Sequence, residues 1–185
     1  MSIYNKAWLT DQFEKKERIK YLFFWGHQPA KDGTLTSSCF SQWWVSRFTV
    51  DGITYATAEH WMMAEKARLF NDEEMLARIL AAGSPAEAKK LGRAVNGFSA
   101  DIWDAQKFDI VVKGNMHKFA QDKAMCDYLL NTHERVIVEA SPRDQIWGIG
   151  LGASNPKAEN PLQWRGQNLL GFALMEVRDR LKEKV

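Results

Sequence analysis

The stretch Thr57-Ala58-Glu59-His60-Trp61-Met62-Met63-Ala64-Glu65-Lys66-Ala67-Arg68-Leu69-Phe70 decides how the rest of this chain is read. Taken as a helix at about 100° per residue, it brings Glu59 and Lys66 to within about 20° of each other. Leu69 and Met62 flank them on one side, Phe70 and Met63 on the other. That is the middle of the apolar stripe. An unpaired charge there costs several kcal/mol, so the two either pair or line a cleft. Seven residues of helix rise roughly 10.5 Å, and the long Lys66 side chain leans back toward the N-terminus, so both heads can work on one small group. The alternative is an acid suited to the dipole of the first turn and a lysine that snorkels to water; the helix alone leaves both open. Glu65 and Arg68 fall on the opposite arc and are expected to face solvent.

Working outward, Thr57 suits the N-cap, and Arg47 to Tyr55 forms two short alternating strands around an Asp51-Gly52 hairpin turn. Glu59 is therefore presented directly off a sheet edge. Upstream, Tyr21-Leu22-Phe23-Phe24-Trp25 is an aromatic strand ending at Gly26-His27, followed by a loop rich in Gly, Thr and Ser. Downstream, Asn71 or Asp72 caps a helix over Glu73 to Ala82, and Gly83 ends it. Ser84-Pro85-Ala86-Glu87 is a capping box with proline at the first helical position. Further helices are predicted over 101–121, 123–130 and 168–184, and a strand over 135–139. No repeat or linker divides the chain. The prediction is α+β: a polar N-terminal extension over 1–20, then, over 21–185, a mainly helical single domain packed around a small β-sheet.

Composition removes several function classes. The 185 residues are 45% hydrophobic, enough for one substantial core, and the net charge of +2 is too mild to announce a nucleic-acid binder. The two cysteines, Cys39 and Cys126, fit no metal or CxxC pattern and read as buried thiols of a reducing compartment. The N-terminus carries neither a signal-peptide run nor a membrane span, which predicts a cytoplasmic protein with no membrane partner. His27, His60, His117 and His133 lack zinc-binding spacing, so no metal is expected. Gly148 to Gly152 follows a strand but opens no helix, a poor match to a nucleotide cradle. No GxSxG is present.

Carboxylates, lysine, arginine and tryptophan remain. Ser141-Pro142-Arg143-Asp144-Gln145-Ile146-Trp147-Gly148 lies on a turn after a buried strand, where sheets often place ligand contacts. Asp144 either touches ligand there or ties the loop through its own backbone, and the second is the more frequent use of such an aspartate. Arg93, after Gly92 near a helix end, either bonds carbonyls or grips a phosphate in two-pronged fashion. An aromatic platform, a helix-borne acid and base, and an arginine suit a nucleoside or nucleotide.

Tyr21 to His27, Phe40-Ser41-Gln42-Trp43-Trp44, Thr57 to Lys66, Leu91-Gly92-Arg93, Trp103-Asp104, Glu139 to Gly148 and Asn168-Leu169-Leu170-Gly171 occur in that order. Together they closely resemble the NADAR family, which includes the YbiA-like N-glycosidases, over about Tyr21 to Leu181. The resemblance implies a YbiA-like α+β fold and hydrolysis of an N-glycosidic bond to ribose without metal or cofactor. In YbiA-like members the substrates are early phosphoribosylated pyrimidines of riboflavin biosynthesis; other branches remove ADP-ribose from guanine. By the same resemblance the helix acid is Glu59, the helix lysine Lys66, the Gly-Arg pair Gly92-Arg93, the acidic loop Asp144 to Gly148, and the Asn-Leu-Gly signature begins at Asn168. Many members have Ser-Asn-Phe where this chain has Ser41-Gln42-Trp43.

The expected chemistry follows. A carboxylate, Glu59 or in second place Asp144, stabilises charge developing on the ribose and orients water. Lys66 protonates the departing base or the ring oxygen, or, lowered in pKa by its apolar surroundings, attacks the opened sugar as a Schiff-base nucleophile. Trp43 and Trp147 hold the base and Arg93 the phosphate. The expected partner is a small phosphoribosyl or ADP-ribosyl molecule, with nucleic acid only as an ADP-ribosylated substrate. A non-catalytic reader of ADP-ribose or NAD is the third class; it has no use for Glu59 and Lys66 in an apolar stripe.

Overall fold

The computed structural model describes residues 2–184. Its contacts divide the chain into two compact units, one joining the chain up to Ser41 with the chain from Lys123 onward, the other Gln42–Asp122.

In the Gln42–Asp122 unit the helix α2 (Ala58–Leu69) is the centre, and α3 (Glu73–Leu80), α4 (Pro85–Arg93) and α5 (Ala100–Ala120) pack on it. Each start has a chemical cause. The side chains of Thr57, Asp72 and Ser84 accept the N–H of His60, Met75 and Glu87 in turn. Glu87 closes its capping box one residue early, accepting from Gly83 N rather than from the N-cap at 2.8 Å. The hairpin is as predicted, with strands of Phe48–Val50 and Ile53–Tyr55 around Asp51 (φ 50°) and Gly52 (φ 80°). Two left-handed residues in a row are what the tight hairpin turn requires.

Close approach onto α2 is arranged by glycine. A Cβ on Gly92 of α4 would stand 1.9 Å from Met63 Sδ, and one on Gly114 of α5 would stand 2.3 Å from Trp61 Cδ1. Trp61 then reaches past Gly114 to donate its indole N–H to Ile110 O at 2.9 Å. So α2 is enclosed on more than one arc, and Glu65 and Arg68, expected in solvent, are half-buried and paired at 2.6 Å.

In the other unit, strands of Tyr21–Phe24 (β1) and Val136–Glu139 (β2) pair in parallel, Tyr21 opposite Val136 and Phe24 opposite Glu139. The helix Leu169–Lys182 (α7) packs on β2, and Lys123–Leu130 (α6) packs on α7. Among the described residues no strand lies beside the second edge of β2. The Asn168 amide takes that place, its Oδ1 accepting from Glu139 N at 2.9 Å and its Nδ2 donating to Ile137 O at 2.9 Å. Ile149 N continues the edge by donating to Glu139 O at 3.0 Å. The fold is thus α+β with each short sheet inside its own unit, and the sheet expected as one is two pairs.

The stretch expected as a polar extension contains a helix, Lys6–Glu14 (α1), capped by Asn5, with Leu9 fully buried. Lys6 Nζ donates to Trp164 O at 2.9 Å, and the Tyr4 hydroxyl donates to Asp179. Cys39 is buried as expected, while Cys126 is only half-buried.

Candidate functional site

Glu59 sits in the first turn of α2 and is 4% exposed. Its backbone N–H donates to Gln42 O at 2.9 Å, which ties the segment leading into Trp43 to the start of the helix. His60 is fixed beside it. Its Nε2 meets Ala82 O at 2.9 Å and so carries the proton, leaving Nδ1 to accept from the Thr57 hydroxyl at 2.7 Å. The histidine is therefore a strut that holds the helix start.

Two turns on, Lys66 is half-buried, its Nζ lying 4.5 Å from the centre of the Phe98 ring and 5.5 Å from that of Trp103. Burial pushes its ammonium below the usual lysine range; the Glu59 carboxylate opposes that shift and the Arg93 guanidinium adds to it. Glu59 on the same helix and Arg93 on α4 thus both act on the charge of Lys66. It also gives the lysine an aromatic collar.

Arg93 is the last residue of α4 and exposed. Lys89, one turn earlier on the same helix, places its Nζ 5.9 Å from the centre of the Trp43 ring. Gly92 is buried and explained by the approach of Met63. A carboxylate, an amine biased toward its neutral form, two further cations and half-buried aromatic rings suit hydrolysis of an anionic substrate that carries a planar group.

The remaining predicted residues lie together in the other unit. Asp144 ties its loop, as the commoner use of such a residue has it: Oδ1 accepts from Ile146 N at 2.9 Å and Trp147 N at 2.8 Å. Trp147 is half-buried; Gly148 is buried, and a Cβ there would meet Glu139 O at 2.9 Å. Asn168, fully buried at φ 54°, has both polar atoms of its amide bonded to β2. Its side chain does not cap α7, whose first N–H groups go instead to Ile146 O and Trp147 O.

Phe98 was not singled out from the sequence. It follows Gly97 (φ 72°) between α4 and α5, and an aromatic residue in a turn of polar residues and glycine, 48% exposed, is the signal that marks it. No helix among the described residues is long and apolar enough to cross a membrane.

Residues 23–182 match the model of the NADAR domain. An N-glycosidase of Acanthamoeba polyphaga mimivirus is 42% identical over 88% of this chain and 97% of its own length. An N-glycosidase of Nostoc punctiforme is 31% identical over 78% of this chain and 85% of its own. Among solved structures, the NMR structure of the Escherichia coli protein YbiA is similar with a TM-score of 0.68 and 28% identity, covering 89% of this chain and 86% of that one.

Proposed function

Because the chain belongs to the NADAR family, with N-glycosidases among its relatives, we propose that it hydrolyses the bond between a base and a phosphorylated ribose. It is a hydrolase of N-glycosyl bonds; the substrate is the step we add. The preferred class is the early phosphoribosylated pyrimidines of riboflavin synthesis, with ribose 5-phosphate and free base as products. One observation carries the assignment of roles: a carboxylate 4% exposed and a lysine depressed by burial act on each other from one helix.

As the C1′–N bond breaks, positive charge grows on the ribose, and Glu59 stabilises it while orienting and taking a proton from the water whose oxygen bonds to C1′. The departing base takes a proton, from Lys66 when that amine is charged. In its neutral form Lys66 can instead bond to C1′ as the base leaves with the amine's proton; transfer of the second proton to the ring oxygen opens the sugar as a Schiff base, which water hydrolyses to free sugar and amine. Trp43 offers its ring to the base, and Arg93 grips the phosphate. Asp144 is the second choice for the carboxylate, with Trp147 beside it in the loop. Gly92, Gly148 and Asn168 act by shaping backbone for these groups.

Removal of ADP-ribose from guanine has one observation in its favour. Lys89 and Arg93 stand one turn apart on α4, and two cations on one helix suit a diphosphate. Both readings are tested by offering the purified protein phosphoribosylated pyrimidines and ADP-ribosylated guanine in parallel and identifying products by mass spectrometry. Release of free pyrimidine and ribose 5-phosphate supports the first reading. Release only of ADP-ribose transfers the function to the second.

A further inference from the structure

We infer that Phe98 is a positioning residue for Lys66: its half-exposed ring covers the amine and keeps water from it. The inference rests on Lys66 having the role proposed above, but the contact it concerns is independent of any substrate. Nζ of Lys66 stands 4.5 Å from the Phe98 centroid, closer than the 5.5 Å to Trp103. Phe98 also packs on Phe70, edge to face at 5.4 Å between centroids, and Phe70 is the C-cap of α2 itself. Gly97, in the left-handed region, turns the chain so that the next residue lies over the end of α2.

An aromatic ring acts on an amine in two opposed ways. Its face attracts the charged form, and its bulk displaces the water that solvates that form. The charges acting on Lys66 are Glu59 from its own helix and Arg93 from α4, and α5 adds the Trp103 ring. Burial is the largest influence on this lysine and outweighs Glu59, and the Phe98 ring, 4.5 Å from Nζ, is the nearer of the two rings that contribute to it. The contact with Phe70 leaves Phe98 48% exposed, and the ring it leaves half in solvent is the one that stands over the amine.

The test uses the full-length protein and two readouts. Acetic anhydride labelling of Lys66 across pH, read by peptide mass spectrometry, reports when the amine loses its proton. Phe98→Ala is expected to move that midpoint upward, toward an ordinary lysine, while Phe98→Leu, which keeps apolar bulk, leaves it low. Phe98→Asn, a residue at home in turns, replaces the alanine variant should the latter not fold. On the substrate found by product analysis, kcat is expected to fall roughly 10- to 100-fold, the scale of a misplaced catalytic group, with KM little changed. An unchanged Lys66 midpoint in a folded Phe98→Ala protein overturns the inference. A shifted midpoint in a protein that turns over none of the substrates supports it and sinks only the substrate reading.

Discussion

At Lys66 opposing causes act on one amine, and their sum predicts how stability varies with pH. Burial and Arg93 disfavour the proton, Glu59 favours it, and the outcome lies below the usual value of 10.5. Between the folded value and the ordinary one, the unfolded chain binds more protons, so stability rises with pH through that window. Below it both states are protonated, and the penalty of the buried charge is complete. Lys66→Met is therefore expected to raise the melting temperature at neutral and acid pH, with the gain fading as pH climbs past the window. Thermal melts in a pH series check this; a variant less stable than the parent at pH 7 would mean that Lys66 contributes to the fold. Borohydride tests the nucleophile role, since it traps a Schiff base as a stable sugar adduct on the Lys66 peptide. Turnover without adduct in the same tube leaves the lysine an acid or an electrostatic group. Arg93→Lys keeps charge but loses the planar grip, and affinity for phosphorylated substrate is expected to fall roughly tenfold or more. Titration of both forms decides; equal losses for the unphosphorylated nucleoside would refute the phosphate contact.

At the scale of elements, β2 depends on a side chain for its second edge. Asn168→Ala leaves Glu139 N and Ile137 O without their partner and should cost at least about 2 kcal/mol in chemical denaturation. Native-like stability would show that water replaces the amide. Asp72 joins elements in a similar way, Oδ1 accepting from Met75 N at the start of α3 and Oδ2 from Asn96 N in the segment before Phe98. These bonds hold its carboxyl below the usual range, so its contribution is present above the unfolded value and lost as pH falls. The difference shows what local sequence can and cannot disclose. Caps at Thr57 and Ser84 and the Asp51-Gly52 turn were legible because their partners lie within a few residues. The roles of Asn168 and Lys6 were not, because Ile137 is 31 residues from one and Trp164 is 158 from the other. Helix α1 went unread because its one fully buried residue is Leu9, too few to mark an apolar stripe. That Glu59 and Lys66 share one face of α2 was legible as helical spacing, but the contact with Phe98 arrives from a turn and leaves no periodic trace.

For the whole molecule, the family match spans residues 23–182 and so draws on both compact units, while Glu59, Lys66, Arg93 and Phe98 all belong to Gln42–Asp122. The central claim is that Glu59 is buried in the first turn of α2 for chemistry. Glu59→Gln keeps the shape of the side chain and removes its charge, so it separates catalysis from packing. The decisive measurement is kcat of full-length Glu59→Gln on the substrate found by product analysis, with thermal denaturation of the same sample. The account predicts a fall of roughly 100-fold or more with the melting transition kept. Turnover equal to that of the parent would contradict it, and the carboxylate would then have to be sought at Asp144.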